Sequence, residues 1–121
     1  HYDSFESVRS GRDETLGYIV LGKEAIQWYN DENQSRMMCQ FLKAISDENR
    51  LTILKQLAIH PSYGQELSKK LHLTPATIKH HLMILEECKL ILASKTEHKV
   101  FYSINRQMIE QGFEDVRTYL M

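Results

Sequence analysis

The sequence predicts a mainly α-helical domain in which three core helices are followed by a β-hairpin and a closing helix. Two observations carry this prediction. Residues 47–58, 63–71 and 75–88 have apolar side chains at helical spacing, and a break of only three residues separates the last two. Residues 90–94 and 100–104 are instead rich in β-branched and aromatic side chains, which favours two strands.

The helix predicted over residues 75–88 begins with clear start signals. Thr74 is a good N-cap, and Pro75 occupies the first turn, where no amide donor is needed. The apolar residues recur at i, i+4 and i+7: Ile78, Leu82 and Leu85. Other faces carry Ala76, Lys79, His80 and Met83. A short, polar, donor-rich first turn beside an apolar anchor is what insertion into the major groove of DNA requires.

The neighbouring elements place this helix in a larger pattern. Ser46 or Asp47 is the expected cap of the helix over 47–58. Residues 95–99 form a polar, mostly cationic tip between the two strands, and a long amphipathic helix over 105–120 closes the chain. A hairpin in this place is a wing, so the order of elements predicts a mainly α winged helix-turn-helix.

Charge is distributed unevenly along the chain. The formal net charge is −1, which is not the strongly basic balance of a bulk nucleic-acid binder. Residues 1–33 nevertheless have a net charge of −4, and residues 69–106 have a net charge of +4. The positive segment coincides with the predicted reading helix and wing, as electrostatic attraction to phosphate requires.

The order of several motifs resembles the ArsR-type winged-helix repressors over about residues 37–120. The resemblance is carried by Leu42-Lys43-Ala44-Ile45-Ser46-Asp47-Glu48-Asn49-Arg50-Leu51-Thr52-Ile53-Leu54, Glu66 to Leu71, Thr74 to Leu85 with His80-His81-Leu82, Lys89-Leu90-Ile91, and Val100 to Ile104. It implies a sequence-specific transcriptional regulator, and a repressor in particular, that binds double-stranded DNA. The wing tip departs from the family, because Glu97-His98-Lys99 stands where a glycine is common.

The predicted DNA-binding residues lie on the reading helix and the wing. Thr77, Lys79 and His80 are expected to reach base edges, while Thr74, Pro75 and Ala76 allow close approach. Lys95, His98 and Lys99 are expected to contact the backbone or the minor groove from the wing. His81 flanks the apolar stripe and is predicted to be a packed histidine at the edge of the core.

A homodimer is the second partner prediction, because one winged helix covers only half of a twofold-related DNA site. Two apolar stripes are available for the interface: Met38, Phe41, Leu42 and Ile45 before the core, and Ile109, Phe113, Val116 and Leu120 in the last helix. The alternative left open is that both stripes fold back onto the monomer's own core or onto the apolar segment 17–29.

The first 35 residues are predicted to form an extension, or the tail end of an upstream effector region, attached to a DNA-binding domain over 36–121. Residues 16–22 form an apolar run, 23–29 are compatible with a helix, and 31–35 are predicted to be a linker. An unidentified effector acting through an upstream region fits this division. We expect a cytoplasmic protein, since neither a signal peptide nor an apolar run of membrane-spanning length is present.

Metal-dependent and enzymatic functions lack residues that would support them. The segments that hold the metal ligands of ArsR-type sensors, here 65–69 and 105–121, contain neither cysteine nor histidine, so no metal site and no cofactor is expected. Cys39 and Cys88 are expected to be buried free thiols. No catalytic motif is present. The alternatives kept open are a winged-helix protein–protein module and a metal- or redox-responsive repressor.

Overall fold

The computed structural model describes residues 31–121; the expectations for 16–22 and 23–29 lie outside this range. The chain divides into two compact units, His1–Met37 and Met38–Met121. Residues 31–45 are helical and are called α1. The linker predicted at 31–35 is therefore wrong. A polar composition does not prevent an exposed helix, and this segment contains neither glycine nor proline to interrupt one. Within the helix, Arg36 donates a hydrogen bond to Asn33 at 3.0 Å.

The predicted order of helices and strands is confirmed. After α1, the described elements are α2 (Glu48–Ile59), β1 (Ser62–Tyr63), α3 (Gly64–Leu71), α4 (Pro75–Glu87), β2 (Ile91–Lys95), β3 (Val100–Ile104) and α5 (Arg106–Leu120). Of the two caps predicted for α2, Ser46 and Asp47, the structure has Asp47. Its carboxylate accepts from the amides of Asn49 at 2.8 Å and Arg50 at 3.1 Å. The hydrogen bond from the Arg50 amide is the main cause that lowers the pKa of Asp47.

The sheet has three antiparallel strands in the order β1-β3-β2. The two longer strands form the predicted hairpin, with Ile91 opposite Ile104 and Lys95 opposite Val100. The short strand β1 was not predicted, because two residues are too few to show a period of two. It pairs Tyr63 with Phe101, and their rings lie 4.5 Å apart. This pairing connects the wing directly to the start of α3.

The core lies between the helices and the base of the wing. Its buried side chains come from α1 to α4, from β2 and from the residue before β2: Phe41, Ala44, Ile53, Leu54, Leu57, Leu67, Ile78, Leu82, Leu85, Leu90 and Ile91. The stripe predicted on α4 thus faces inward, which leaves the opposite face of that helix toward solvent. No helix within residues 31–121 is both long and apolar enough to cross a membrane.

Helices α1 and α5 approach closely at Gly112. A Cβ atom added there would lie far inside van der Waals contact of the Phe41 ring. Phe41 also packs edge-to-face against Phe113, with ring centroids 5.1 Å apart. Glycine in the interior of a helix is unfavourable by about 0.5–1 kcal/mol relative to alanine, so this position is occupied by glycine for reasons of packing.

Replacing Gly112 by alanine is expected to destabilise the fold despite the better helix propensity of alanine. Moving the Phe41 ring out of the core costs about 1–3 kcal/mol, which exceeds the gain in propensity. Urea unfolding followed by circular dichroism measures the difference. Gly64→Ala is the matched control, because its added Cβ would meet Leu82 Cδ1 at an ordinary 3.8 Å. Equal stabilities of the two variants would contradict the packing argument.

Candidate nucleic-acid interface

The two helices α3 and α4 are joined by a tight turn. His72 ends α3 in the left-handed conformation, with a φ of 57°. The Leu73 amide then donates to the Ser68 carbonyl at 3.1 Å, and the Ser68 hydroxyl donates back to the Leu73 carbonyl. These reciprocal bonds fix the direction in which the chain leaves α3, and so fix the start of α4.

The first turn of α4 is organised by Thr74, as predicted. Its hydroxyl oxygen accepts from the Thr77 amide at 3.2 Å, and its hydroxyl group donates to the Thr77 hydroxyl oxygen at 2.9 Å. In this arrangement the Thr77 hydroxyl still has its own hydrogen to offer to an external acceptor. The half-buried Thr77 side chain is therefore held in place, and its hydroxyl remains a donor in the first turn of α4.

The exposed face of α4 carries the other predicted base-reading residues. Pro75, Ala76, Lys79 and His80 are exposed, and Met83 is 51% exposed one turn further along. The buried face of α4 consists of Ile78, His81, Leu82 and Leu85. The adjacent histidines are thus divided between the two faces, and the predicted packed position of His81 at the edge of the core is confirmed by its exposure of 7%.

Arg50 connects α4 to the end of α1. Its guanidinium donates to the carbonyl of Ala44 at 2.6 Å and to that of Lys43 at 3.2 Å. A third nitrogen of the same group lies 3.1 Å from Nδ1 of His81. Because arginine can only donate, Nδ1 must accept, and His81 is neutral with its proton on Nε2. This contact anchors the middle of α4 while its first turn remains exposed.

Burial is the main cause that lowers the pKa of His81 below its ordinary value of 6.5. Among the nearby charges, Asp47 opposes this shift, whereas Arg50 and His80 reinforce it. A depressed pKa means that the unfolded chain binds a proton at a higher pH than the folded chain does. The neutral histidine therefore contributes stability above pH 6.5, and this contribution is lost as the pH falls through the lowered folded-state pKa.

Acidification is accordingly expected to destabilise the domain through His81. We expect the free energy of unfolding in urea to fall between about pH 7.5 and about pH 5.5, and to fall less steeply in His81→Gln, which keeps a hydrogen-bond acceptor without titrating. His98→Gln is the control, because His98 is exposed at the wing tip. A His81→Gln variant with the same pH dependence as the parent chain would exclude this residue as the titrating group.

The wing presents its predicted cationic tip to solvent. The Thr96 amide donates to the Lys99 carbonyl at 2.8 Å and closes the turn between β2 and β3. Lys95, His98 and Lys99 are all exposed. The Lys99 ammonium lies 4.1 Å from the centroid of the Tyr63 ring, a cation–π contact that directs this charge toward the start of α3.

The predicted interface stripes are only partly exposed. Met38 and Phe41 are buried, and Ile45, Ile109 and Val116 pack against the core of their own chain. The exposed members are Leu42 at 40%, Phe113 at 51% and Leu120 at 72%. One side of each stripe therefore folds back onto the core of its own chain, and the other side faces solvent.

The cysteines differ from their expected burial. Cys39 is exposed, because its side chain leaves the surface of α1 between the inward-facing Met38 and Phe41. Cys88 is half-buried, and burial is the main cause that raises its pKa, which keeps the thiol protonated. Within residues 31–121, no three histidine, cysteine, aspartate or glutamate side chains are grouped so that they could hold a metal ion.

Comparison with known proteins decides the family of the helix-turn-helix region. Residues 47–92, from the cap of α2 into β2, match the model of the bacterial regulatory proteins of the arsR family. These residues belong to the ArsR family. The ArsR-type region contains the tight turn, the whole of α4 and the Arg50–His81 contact. No curated protein sequence matched the chain.

Solved structures with the same fold cover more of this chain than the family model does. Reduced HlyU from Vibrio cholerae is 28% identical, covers 76% of this chain and 98% of its own, and has a TM-score of 0.59. An ArsR-like transcriptional regulator from Rhodococcus sp. RHA1 is 21% identical, with coverages of 72% and 82% and a TM-score of 0.66. The ArsR-type domain is therefore a winged helix-turn-helix of a DNA-binding transcriptional regulator.

A third similar structure is a homodimeric winged helix-turn-helix DNA-binding domain from Mycobacterium bovis. It is 19% identical, covers 70% of this chain and 79% of its own, and has a TM-score of 0.59.

Four residues at this candidate interface were not among the DNA-binding residues predicted from the sequence. Arg50 and His81 are 31 positions apart, so no local spacing could indicate their contact. Tyr63 was assigned to a helix, although it lies in β1 beneath Lys99. Met83 was correctly placed off the apolar stripe, and its position three residues after His80 was the available signal that it shares the exposed face of α4.

Proposed function

We propose that this protein is a homodimeric, sequence-specific repressor that inserts α4 into the major groove and contacts the backbone with its wing. The observation that carries the proposal is the division of α4 into two faces. Its buried side is fixed by the core and by Arg50, whereas Pro75, Ala76, Lys79 and His80 face solvent. A helix held in this manner presents side chains to base edges without first having to become ordered.

Base reading is assigned to three donors. The Thr77 hydroxyl, the Lys79 ammonium and the exposed imidazole of His80 lie in the first two turns of α4. Lysine pairs well with the two acceptors of guanine, and threonine can serve several bases. Thr74, Pro75 and Ala76 add little bulk, so the backbone at this end of the helix can approach the groove.

The wing contributes affinity that is independent of sequence. Lys95 and Lys99 lie on the two sides of an exposed turn, and Lys99 is positioned by the Tyr63 ring. Ammonium groups at a wing tip suit phosphate contacts, which release counterions and make binding sensitive to salt.

Removing the two wing lysines is expected to weaken binding to all DNA sequences by similar factors. In Lys95→Ala/Lys99→Ala, the slope of log affinity against log salt should become shallower by about one unit for each phosphate that a lysine no longer neutralises. Fluorescence anisotropy at several salt concentrations measures the slope. Lys55→Ala, an exposed lysine on α2, is the control for removal of charge alone. An unchanged slope in the wing variant would exclude the wing as a backbone anchor.

Dimerisation is supported by apolar side chains that the described domain leaves exposed near its ends. Leu42 and Phe113 are about half exposed, and Leu120 is more exposed still. A twofold contact would bury each of them twice. The homodimeric domain from Mycobacterium bovis has the same fold, and two copies suit a twofold-related DNA site.

Selection of binding sequences from a random DNA library, using the complete chain, tests the proposal. We expect enrichment of an inverted repeat whose half-sites are about one helical turn, or a multiple of it, apart. Repression is tested next: the selected sequence is placed across a promoter, and transcription is measured with and without the protein. Recovery of no common sequence would overturn sequence-specific binding, and increased transcription would overturn repression.

A further inference from the structure

We propose that Met83 reads the 5-methyl group of a thymine in the major groove. The inference rests on the proposed function and adds an apolar contact to the polar ones. Met83 was not among the residues predicted to touch DNA, and what singles it out is its place on α4.

Met83 lies in the middle of the exposed face. At about 100° per residue, it falls within about 20° of Ala76 and between the directions of Lys79 and His80. The opposite direction is occupied by the fully buried Leu85. Any duplex that contacts Lys79 and His80 along this helix therefore also comes within reach of Met83.

The charges on α4 mark the end of the reading face, by which we mean the exposed side of the helix formed by Ala76, Lys79, His80 and Met83. Beyond Met83, the exposed residues of the helix are Glu86 and Glu87. Carboxylates at this end are repelled by phosphate, so close contact with DNA is limited to the part of the helix before them. Met83 is the last residue of that part on the exposed face, one turn after His80.

The chemistry of methionine suits one group in the groove. Bases present donors and acceptors there, and thymine alone adds an apolar methyl group. A thioether side chain offers no strong hydrogen bond, but its three rotatable bonds let it adapt to an irregular apolar surface. Its 51% exposure leaves this apolar surface in water until a partner covers it.

Single exposed apolar residues are common on proteins, and Leu51 is one such residue, 53% exposed on α2. The two side chains have almost the same exposure, but only Met83 lies on the reading face. Leu51 is therefore a matched control that separates a specific contact from a general effect of removing surface hydrophobicity.

The test uses the complete chain and the sequence obtained by selection. Each thymine is replaced in turn by deoxyuridine, which lacks only the methyl group, and affinity is measured by fluorescence anisotropy. For wild type, we expect one thymine in each half-site whose replacement weakens binding about fourfold, the effect of burying one methyl-sized group. Met83→Ala should bind the selected sequence with its thymine more weakly than wild type does. It should no longer distinguish thymine from uracil at that position.

Two further variants complete the test. Met83→Leu should retain the distinction between thymine and uracil, and Leu51→Ala should show the wild-type ratio. The inference is overturned if the protein binds the selected sequence specifically but every deoxyuridine replacement changes affinity by the same factor in wild type and in Met83→Ala. That result would leave the proposed function intact. Failure to select any common sequence would overturn both.

Discussion

The double variant Thr77→Val/His80→Ala is expected to bind the selected DNA sequence about a thousandfold more weakly than wild type. Removing a base contact costs about 1–3 kcal/mol, and in a dimer each of the two substitutions acts twice. Affinity for random DNA should change little, because neither substitution removes a lysine or an arginine. Competition binding against selected and random duplexes measures both quantities. Valine keeps the shape of Thr77, and the amide that donates to Thr74 remains.

The control for this variant is Thr118→Val, which removes an exposed hydroxyl on α5 that donates only to Glu114 at 3.3 Å. It should bind both duplexes as wild type does. Equal reductions of affinity for selected and random DNA in the double variant would mean that Thr77 and His80 do not read bases.

Replacing Phe113 by glutamate is expected to convert the dimer into monomers and to abolish operator binding at nanomolar concentrations. Burying a phenylalanine contributes about 1.5–3 kcal/mol, twofold symmetry doubles the effect, and a buried carboxylate adds a further cost. Light scattering at micromolar concentration measures the mass. Because Phe113 also packs against Phe41 of its own chain, circular dichroism must show that the variant is folded.

Two further variants separate the interface from the core. Leu120→Glu changes a residue that is 72% exposed, so it should disrupt the dimer without disturbing the fold. Ile59→Glu introduces the same charge on α2, at a residue that is 64% exposed and outside the predicted interface, and should remain dimeric. A monomeric wild type at micromolar concentration would show that these side chains do not form an interface.

Local signals were sufficient to predict the reading helix. Asp47 and Thr74 cap the helices that follow them, and the stripe of Ile78, Leu82 and Leu85 faces the core. Each of these features depends on residues within one or two turns of each other, which is the range over which a helical period and a cap act.

Features that depend on distant residues could not be predicted in the same way. The period on α1 correctly identified an apolar stripe, but it did not show that Phe41 would lie against Gly112 of the same chain. The strand β1 forms because Tyr63 meets Phe101, a partner 38 positions away. The helix over 31–35 was missed because polar composition was taken as evidence of a linker, although an exposed helix can be polar all round.

Arg50 links the end of α1 to α4. It joins the carbonyl end of α1, next to Leu42 and the proposed dimer contact, to the buried side of α4.

The ratio of two dissociation constants measures most directly whether the exposed face of α4 reads DNA sequence. The complete chain is titrated against the selected duplex and against a shuffled duplex of the same composition at physiological salt. We expect the selected duplex to bind at least about a thousandfold more tightly. A ratio close to one, with binding that disappears as salt is raised, would show only electrostatic attraction and would contradict sequence reading by α4.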